Sequence, residues 1–264
     1  MISSARGGEM SNFAYERLHH NLQVMKLTTI DSILDNFLEL AAKEGQSTIE
    51  ILDYLIDQEM KSKDAKSLAM RTRLAGFPSP KRVEDFDFGF QPSLDKSVIR
   101  ELTSLRFIKN AENIVFLGPP GVGKTHLAIA IGLDAVRSGF KVHFANAATL
   151  MERLVNADKQ DKLEETIKGL SKFQLLIVDE IGYLPFTVDG AHAFFQLISR
   201  FYETRSIIFT SNKSYGEWGE IFNDHVIASA VLDRILHHCI TINIKGDSYR
   251  LKERRKQGLI PQNR

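Results

Sequence analysis

Two short stretches carry the residue types that act on phosphates. The first is Gly118-Pro119-Pro120-Gly121-Val122-Gly123-Lys124-Thr125. Its glycines permit a turn tight enough for backbone N–H groups to wrap a β-phosphate, and a helix opening at its end adds a positive pole. Lys124 is spaced to reach the β- and γ-phosphates, and the Thr125 hydroxyl to ligate Mg²⁺. With His126 directly after it, Gly118 to His126 is the expected nucleotide-binding stretch. The second is Leu175-Leu176-Ile177-Val178-Asp179-Glu180, an apolar run that ends in two acids. Asp179 is expected to hold the Mg²⁺ through water, and Glu180 to orient and deprotonate an attacking water. Neighbouring side chains on a strand point opposite ways, so the two acids are free for different tasks. A kinase of this class takes its nucleophile from the substrate and needs no second acid. Glu180 therefore favours hydrolysis of ATP over transfer to a small molecule.

Three further residues are candidates. Thr210-Ser211-Asn212 ends another apolar run, where the Asn212 amide is suited to holding the lytic water or sensing a γ-phosphate. The competing use of such an Asn is as a turn or cap residue. Arg234 lies near the end of an expected helix Val226–His237, and Arg250 follows the last expected strand. An arginine that stabilises transition-state charge, from its own chain or a neighbour, is worth roughly 10³–10⁵ in rate; the competing role is a surface ion pair. His237-His238-Cys239 has adjacent ligands without zinc-type spacing, and His19-His20 reads as a polar helix face. Trp218 suits base stacking or, more commonly, core packing.

These residues need a scaffold that brings strand ends together. Short runs rich in Val, Ile, Leu and Phe (Asn113–Leu117, Lys141–Asn146, Gln174–Asp179, Ser206–Asn212, Cys239–Ile244) alternate with helical stretches. That pattern predicts an α/β fold with a doubly wound, five-stranded parallel sheet and ligands at the strands' carboxyl ends. Upstream the pattern is all-helical. Ile30, Ile33, Leu34, Phe37, Leu38 and Ala41 share one helical face, Gly45 supplies a stop, and Ser47-x-x-Glu50 opens a helix from Ile49 to about Leu74. Gly76-Phe77-Pro78-Ser79-Pro80 then breaks the helical pattern. The expected organisation is a disordered 1–12, a helical domain over 13–75, a linker over 76–92 and an ATPase domain over 93–264.

The chain has 264 residues, 43% of them hydrophobic and 25% charged, with a net charge of +1 and one cysteine, Cys239. No apolar run approaches the roughly 18–20 residues of a membrane span, and no apolar leader core is present, so a cytoplasmic location is expected. With so small a net charge, nucleic-acid contact must come from local clusters. Seven Lys or Arg (Lys61, Lys63, Lys66, Arg71, Arg73, Lys81, Arg82) fall between Lys61 and Arg82 against the single acid Asp64. Another seven lie in Lys245–Arg264. Such clusters fit phosphate-backbone contact without base readout, or a solvated helix face and a tail.

Taken together, these motifs resemble those of AAA+ ATPases, and the chain is most similar to the IstB family of ATPases that assist insertion-sequence transposases, relatives of DnaC-type helicase loaders. The likeness is carried by Gly118–Thr125, Asp179-Glu180-Ile181-Gly182-Tyr183-Leu184-Pro185, Thr210-Ser211-Asn212, and by the more specific Phe86-Asp87-Phe88, Glu217-Trp218-Gly219 and Asp247-Ser248-Tyr249-Arg250. It implies that Asn212 is sensor 1, Arg234 an arginine finger and Arg250 sensor 2. It also implies a ring-like or helical homo-oligomer on duplex DNA with a transposase partner; a helicase loader is the alternative. About 20 residues follow the last expected strand, too few for the helical lid common in AAA+ proteins. Sensor 2 is therefore expected on a short tail. Phe86–Phe90 is expected beside the adenine or in the core.

Overall fold

A computed structural model describes residues 3–183 and 185–256, with side chains for 13–183, 185–252 and 254. The chain divides into two compact units, Met1–Met70 and Arg71–Arg264.

The first unit contains α1 (Ser3–Val24), α2 (Thr28–Glu44) and the start of α3 (Thr48–Ala75). Helix α1 extends into the stretch expected to be disordered; residues 1 and 2 lie outside the described residues. Gly45 ends α2 at φ +71°. Ser47 and Glu50 form the expected reciprocal cap of α3, the Glu50 carboxylate accepting from Ser47 N at 2.8 Å. Buried Glu59 accepts from Thr29 N and Ile30 N at 2.8 and 3.0 Å, so a carboxylate neutralises the N-terminus of α2. Leu22, Ile30, Leu34 and Leu55 make a small core. Ile49, Leu52, Ile56 and Met60, three or four residues apart on α3, remain exposed.

The second unit runs α4 (Lys96–Thr103), α5 (Arg106–Lys109), β1 (Asn113–Leu117), α6 (Lys124–Arg137), β2 (Val142–Asn146), α7 (Ala147–Asp158), α8 (Leu163–Leu170) and β3 (Leu175–Ile181). It continues through α9 (Val188–Phe201), β4 (Ser206–Ser211), α10 (Trp218–Phe222), α11 (His225–His237), β5 (Cys239–Asn243) and α12 (Tyr249–Lys256). All pairings in the five-stranded sheet are parallel, in the order β2-β3-β4-β1-β5. The five strands match the sequence expectation to within one or two residues at each end. Alternation divides the buried strand residues between two faces. Val115, Leu117, Leu176, Val178 and Phe209 join Leu150 of α7, Phe194 of α9 and Val231 of α11 in one core. On the opposite face, Gly132 of α6 lies against Ile177 and Phe77, where a Cβ would not fit. Trp218 is fully buried beside Phe209 and Phe222, which assigns it to packing and not to base stacking.

Two boundaries differ from expectation. The units part at Met70, inside α3, although the helix itself ends where the glycine and prolines predict. Residues 76–92 are not a free linker: they belong to the second unit, with Phe86 9% and Gln91 1% exposed. Phe86 packs at the start of α6 against Gly123 and His126, and Phe77 lies against Gly132, a role that the Pro and Gly content masks.

Candidate nucleotide-binding and hydrolysis site

The loop between β1 and α6 is held in a shape that only its glycines allow. Gly121 (φ +84°) and Gly123 (φ +100°) adopt left-handed conformations, and a Cβ at either would collide with Ser248 or with the Phe86 ring. Lys124 is 9% exposed, and its ammonium donates to the Gly118 and Pro119 carbonyls at 2.6 and 2.8 Å. Burial lowers its pKa; nearby Asp179 and Glu180 oppose the shift, and the Arg250 guanidinium adds to it. Two cations thus line the same cleft, which favours binding of an anion there.

Strand β3 brings in the acids. Thr125 Oγ1 donates to Asp179 Oδ1 at 2.9 Å, and Thr210 Oγ1 donates to the same oxygen at 2.5 Å. Burial raises the Asp179 pKa, against the pull of those two hydroxyls. The strand then kinks. Glu180 has φ +62°, the β3–β4 register shifts between Val178 and Ile181, and Glu180 N donates to Thr210 Oγ1 at 2.9 Å. A left-handed non-glycine residue costs about 1–3 kcal/mol and is retained where the surroundings fix it. The two carboxylates do reach different partners, but through this bulge and not through plain strand alternation. Glu180 Oε2 accepts from Asn146 Nδ2 at 2.9 Å, and Asn146 Oδ1 caps α7 by accepting from Ala148 N at 3.0 Å.

Lys124, Thr125, Glu180, Asn212 and Arg250 line one cleft of about 650 Å³, together with Pro120 to Gly123, His126, Phe86 and Gln91. His126 is fixed beside the loop by a 2.7 Å hydrogen bond to the Arg82 carbonyl and an edge contact with Phe86. Phe86 and Asp87 of the Phe86–Phe90 stretch reach the cleft, whereas Phe88 and Phe90 do not line it. Arg234 is not among the lining residues. Its guanidinium donates to the Ala230 carbonyl at 3.0 Å and lies 4.5 Å from the Phe195 ring centroid.

A family comparison decides the class. Residues 20–257 match the family of IstB-like ATP-binding proteins. The chain belongs to that family. It is 46% identical over 248 residues to the insertion sequence IS21 ATP-binding protein of Pseudomonas aeruginosa, covering 92% of this chain and 94% of that one. It is also 46% identical to the insertion sequence IS5376 ATP-binding protein of Geobacillus stearothermophilus, over 92% and 96% of the two chains. At the level of fold it is similar to AMPPCP-bound DnaA from Aquifex aeolicus (TM-score 0.55, 22% identity, 69% of this chain and 55% of that one). It is likewise similar to DnaI (TM-score 0.53, 19% identity, 62% and 91%). As an IstB-like member, the chain binds ATP and is an ATPase.

Asn146 and Thr210 are the site residues that sequence reasoning missed. Asn146 ends β2 in register with Asp179, and Thr210 stands one residue inside the end of β4. Their signal was present as polar residues at the carboxyl ends of strands flanking β3, but only the strand order makes them neighbours of the acids. At the far end of α11, Glu203 meets His237 and His238, all exposed, with the Tyr202 hydroxyl 2.9 Å from His237 Nδ1. Cys239 lies apart from this group, with its thiol pushed up to about 11 by burial. No described helix is long and apolar enough to cross a membrane.

The basic candidates occupy α3. Lys61, Lys63 and Lys66 are exposed; Lys61 pairs with Asp57 at 2.6 Å and Lys63 with Glu59 at 3.7 Å. At roughly 100° per residue, Lys63 and Lys66 are near one another round the helix and Lys61 is on the far side. Arg73 is exposed and Arg71 half-buried. Lys81 lines the same cleft as Lys124 and Thr125.

Proposed function

We propose that this chain is the ATP-driven DNA-handling component of an insertion sequence. With ATP and Mg²⁺ it assembles as a homo-oligomer on duplex DNA in the cytoplasm, largely without regard to base sequence, and delivers that DNA to the transposase of the same element. The observation that carries this reading is the separation of the two arginines. Arg250 lines the cleft of its own chain and Arg234 does not, which supports a reading in which Arg234 completes the charges around the γ-phosphate of a second copy. The names of the 46%-identical relatives support an insertion-sequence setting.

In this account Lys124 exchanges the Gly118 and Pro119 carbonyls for phosphate oxygens. Glu180 takes the proton from the attacking water, which Asn212 helps to hold. Arg250 and the neighbouring copy's arginine stabilise the charge that develops on the transferred group. The Thr125 hydroxyl offers a hard oxygen ligand, and Asp179, 2.9 Å from it, would hold the ion through water, which suits Mg²⁺. Bound there, the ion supplies charge neutralisation on the phosphate oxygens. A helicase-loading role is the second reading, following the resemblance of the sequence motifs to DnaC-type loaders. The near-full-length insertion-sequence relatives weigh against it.

The test is nucleotide-dependent DNA binding. Duplex affinity measured by anisotropy should be at least about tenfold higher with ATP than with ADP, as expected for a nucleotide-linked assembly. DNA should retain purified transposase only when ATP and this protein are present. Equal affinity in the two nucleotides, or retention without this protein, contradicts the reading.

A further inference from the structure

The C-terminal arm that carries Arg250 is tied at four places to the segment Asp87–Ser93. Ser93 Oγ donates to the Lys245 carbonyl at 2.7 Å and accepts from Lys245 N at 2.9 Å. Gln91, 1% exposed, donates from Nε2 to the Asp247 carbonyl at 2.9 Å. The Phe90 and Tyr249 rings meet edge to face with centroids 5.6 Å apart. Lys252 Nζ lies 4.0 Å from the Phe90 centroid and donates to Asp87 Oδ2 at 3.1 Å. The arm also touches the phosphate loop directly, since Tyr249 N donates to the Gly121 carbonyl at 2.9 Å.

Arg250 sits within this clasp, between Tyr249 and Lys252, and has no lid domain among the described residues to hold it. We infer that Asp87, acting through Lys252, is a positioning residue for Arg250: the Asp87–Lys252 pair and the Phe90–Tyr249 contact clasp the arm so that Arg250 faces the phosphates. An exposed ion pair alone contributes little. Here its cation is also packed on an aromatic face, and the arm carrying it is already held on the N-terminal side of Arg250 by the hydrogen bonds at Lys245, Asp247 and Tyr249, which leaves the Lys252 contacts to fix the other side. Asp87 and Phe86 line the cleft that holds the nucleotide, so the same segment that borders the nucleotide also holds the arm. The inference rests on the reading in which Arg250 acts on the phosphates.

The experiment uses the full-length protein, with steady-state ATP hydrolysis and fluorescent-nucleotide binding read separately. Asp87→Lys and Lys252→Asp should each lower kcat about three- to tenfold, with KM and nucleotide affinity changed far less. The Asp87→Lys/Lys252→Asp double variant should recover most of the loss. In an Arg250→Ala background, Asp87→Asn should lower kcat much less than it does in the wild type, because the route through the arm is gone. If Arg250→Ala itself turns over normally, the reading of Arg250 falls and the clasp falls with it. If Arg250→Ala is impaired but the Asp87 and Lys252 variants are not, or if Asp87→Asn and Arg250→Ala effects multiply, the clasp alone is overturned. Circular dichroism and melting temperature identify a variant that has merely unfolded, and rescue by the charge swap then decides.

Discussion

The Thr125 hydroxyl donates to Asp179 Oδ1 at 2.9 Å, linking the first turn of α6 to the end of β3. The hydrogen bond joins two motifs that are far apart in sequence and makes the phosphate loop and the acidic strand end one site. If these oxygens hold Mg²⁺, Asp179→Asn should raise the Mg²⁺ concentration needed for half-maximal hydrolysis by about 10- to 100-fold, the scale for altering a water-mediated metal contact. An unchanged Mg²⁺ titration would confine Asp179 to a structural hydrogen bond.

DNA affinity should fall steeply as salt rises and vary little with sequence, because the contacts proposed are to phosphates. Neutralising Lys61, Lys63, Lys66, Arg71 and Arg73 together should flatten the slope of log affinity against log salt by several units at most, roughly one for each phosphate no longer neutralised by the protein. The helical spacing adds a finer expectation. Lys63 and Lys66 should matter together, and Lys61, on the opposite side of α3, should matter least. An unchanged slope would shift attention to the basic stretch Lys245–Arg264, of which 257–264 lie outside the described residues.

If Arg234 acts from a neighbour, turnover per chain should rise with protein concentration. Arg234→Ala should bind ATP normally and fail to hydrolyse it, and Lys124→Ala should fail to bind. An equimolar mixture of the two should regain about a quarter of wild-type activity, since one head-to-tail interface in four pairs an intact loop with an intact arginine. Activity strictly proportional to concentration, with no rescue, would make Arg234 a structural residue packed on Phe195.

The fold was legible because the three central runs, those of β3, β4 and β1, are buried on both faces and so carry an uninterrupted hydrophobic signal, as in Leu175–Val178, while the edge strands β2 and β5 keep enough Val, Ile and Phe to be read beside them. The phosphate loop was legible because its glycines answer a backbone requirement visible at Gly121 and Gly123. What local sequence does not encode is which strand ends become neighbours. Asn146 beside Glu180, and Thr210 bridging both acids, depend on the strand order and on the Glu180 bulge. The 76–92 segment departs from its sequence reading for a related reason. Its prolines speak of a broken helix, but the burial of Phe86 and Gln91 is decided by surfaces on α6 and the C-terminal arm.

The central claim is that ATP is hydrolysed in this cleft with Glu180 as the base. Glu180→Gln preserves the shape of the side chain while removing its ability to accept a proton, so ATP binding and turnover measured on the same preparation separate the two roles. The account predicts nucleotide affinity within about twofold of wild type and hydrolysis slowed by about 10² or more. Hydrolysis at the wild-type rate with intact ATP binding would contradict it, leaving Glu180 as no more than the strand-end partner of Asn146.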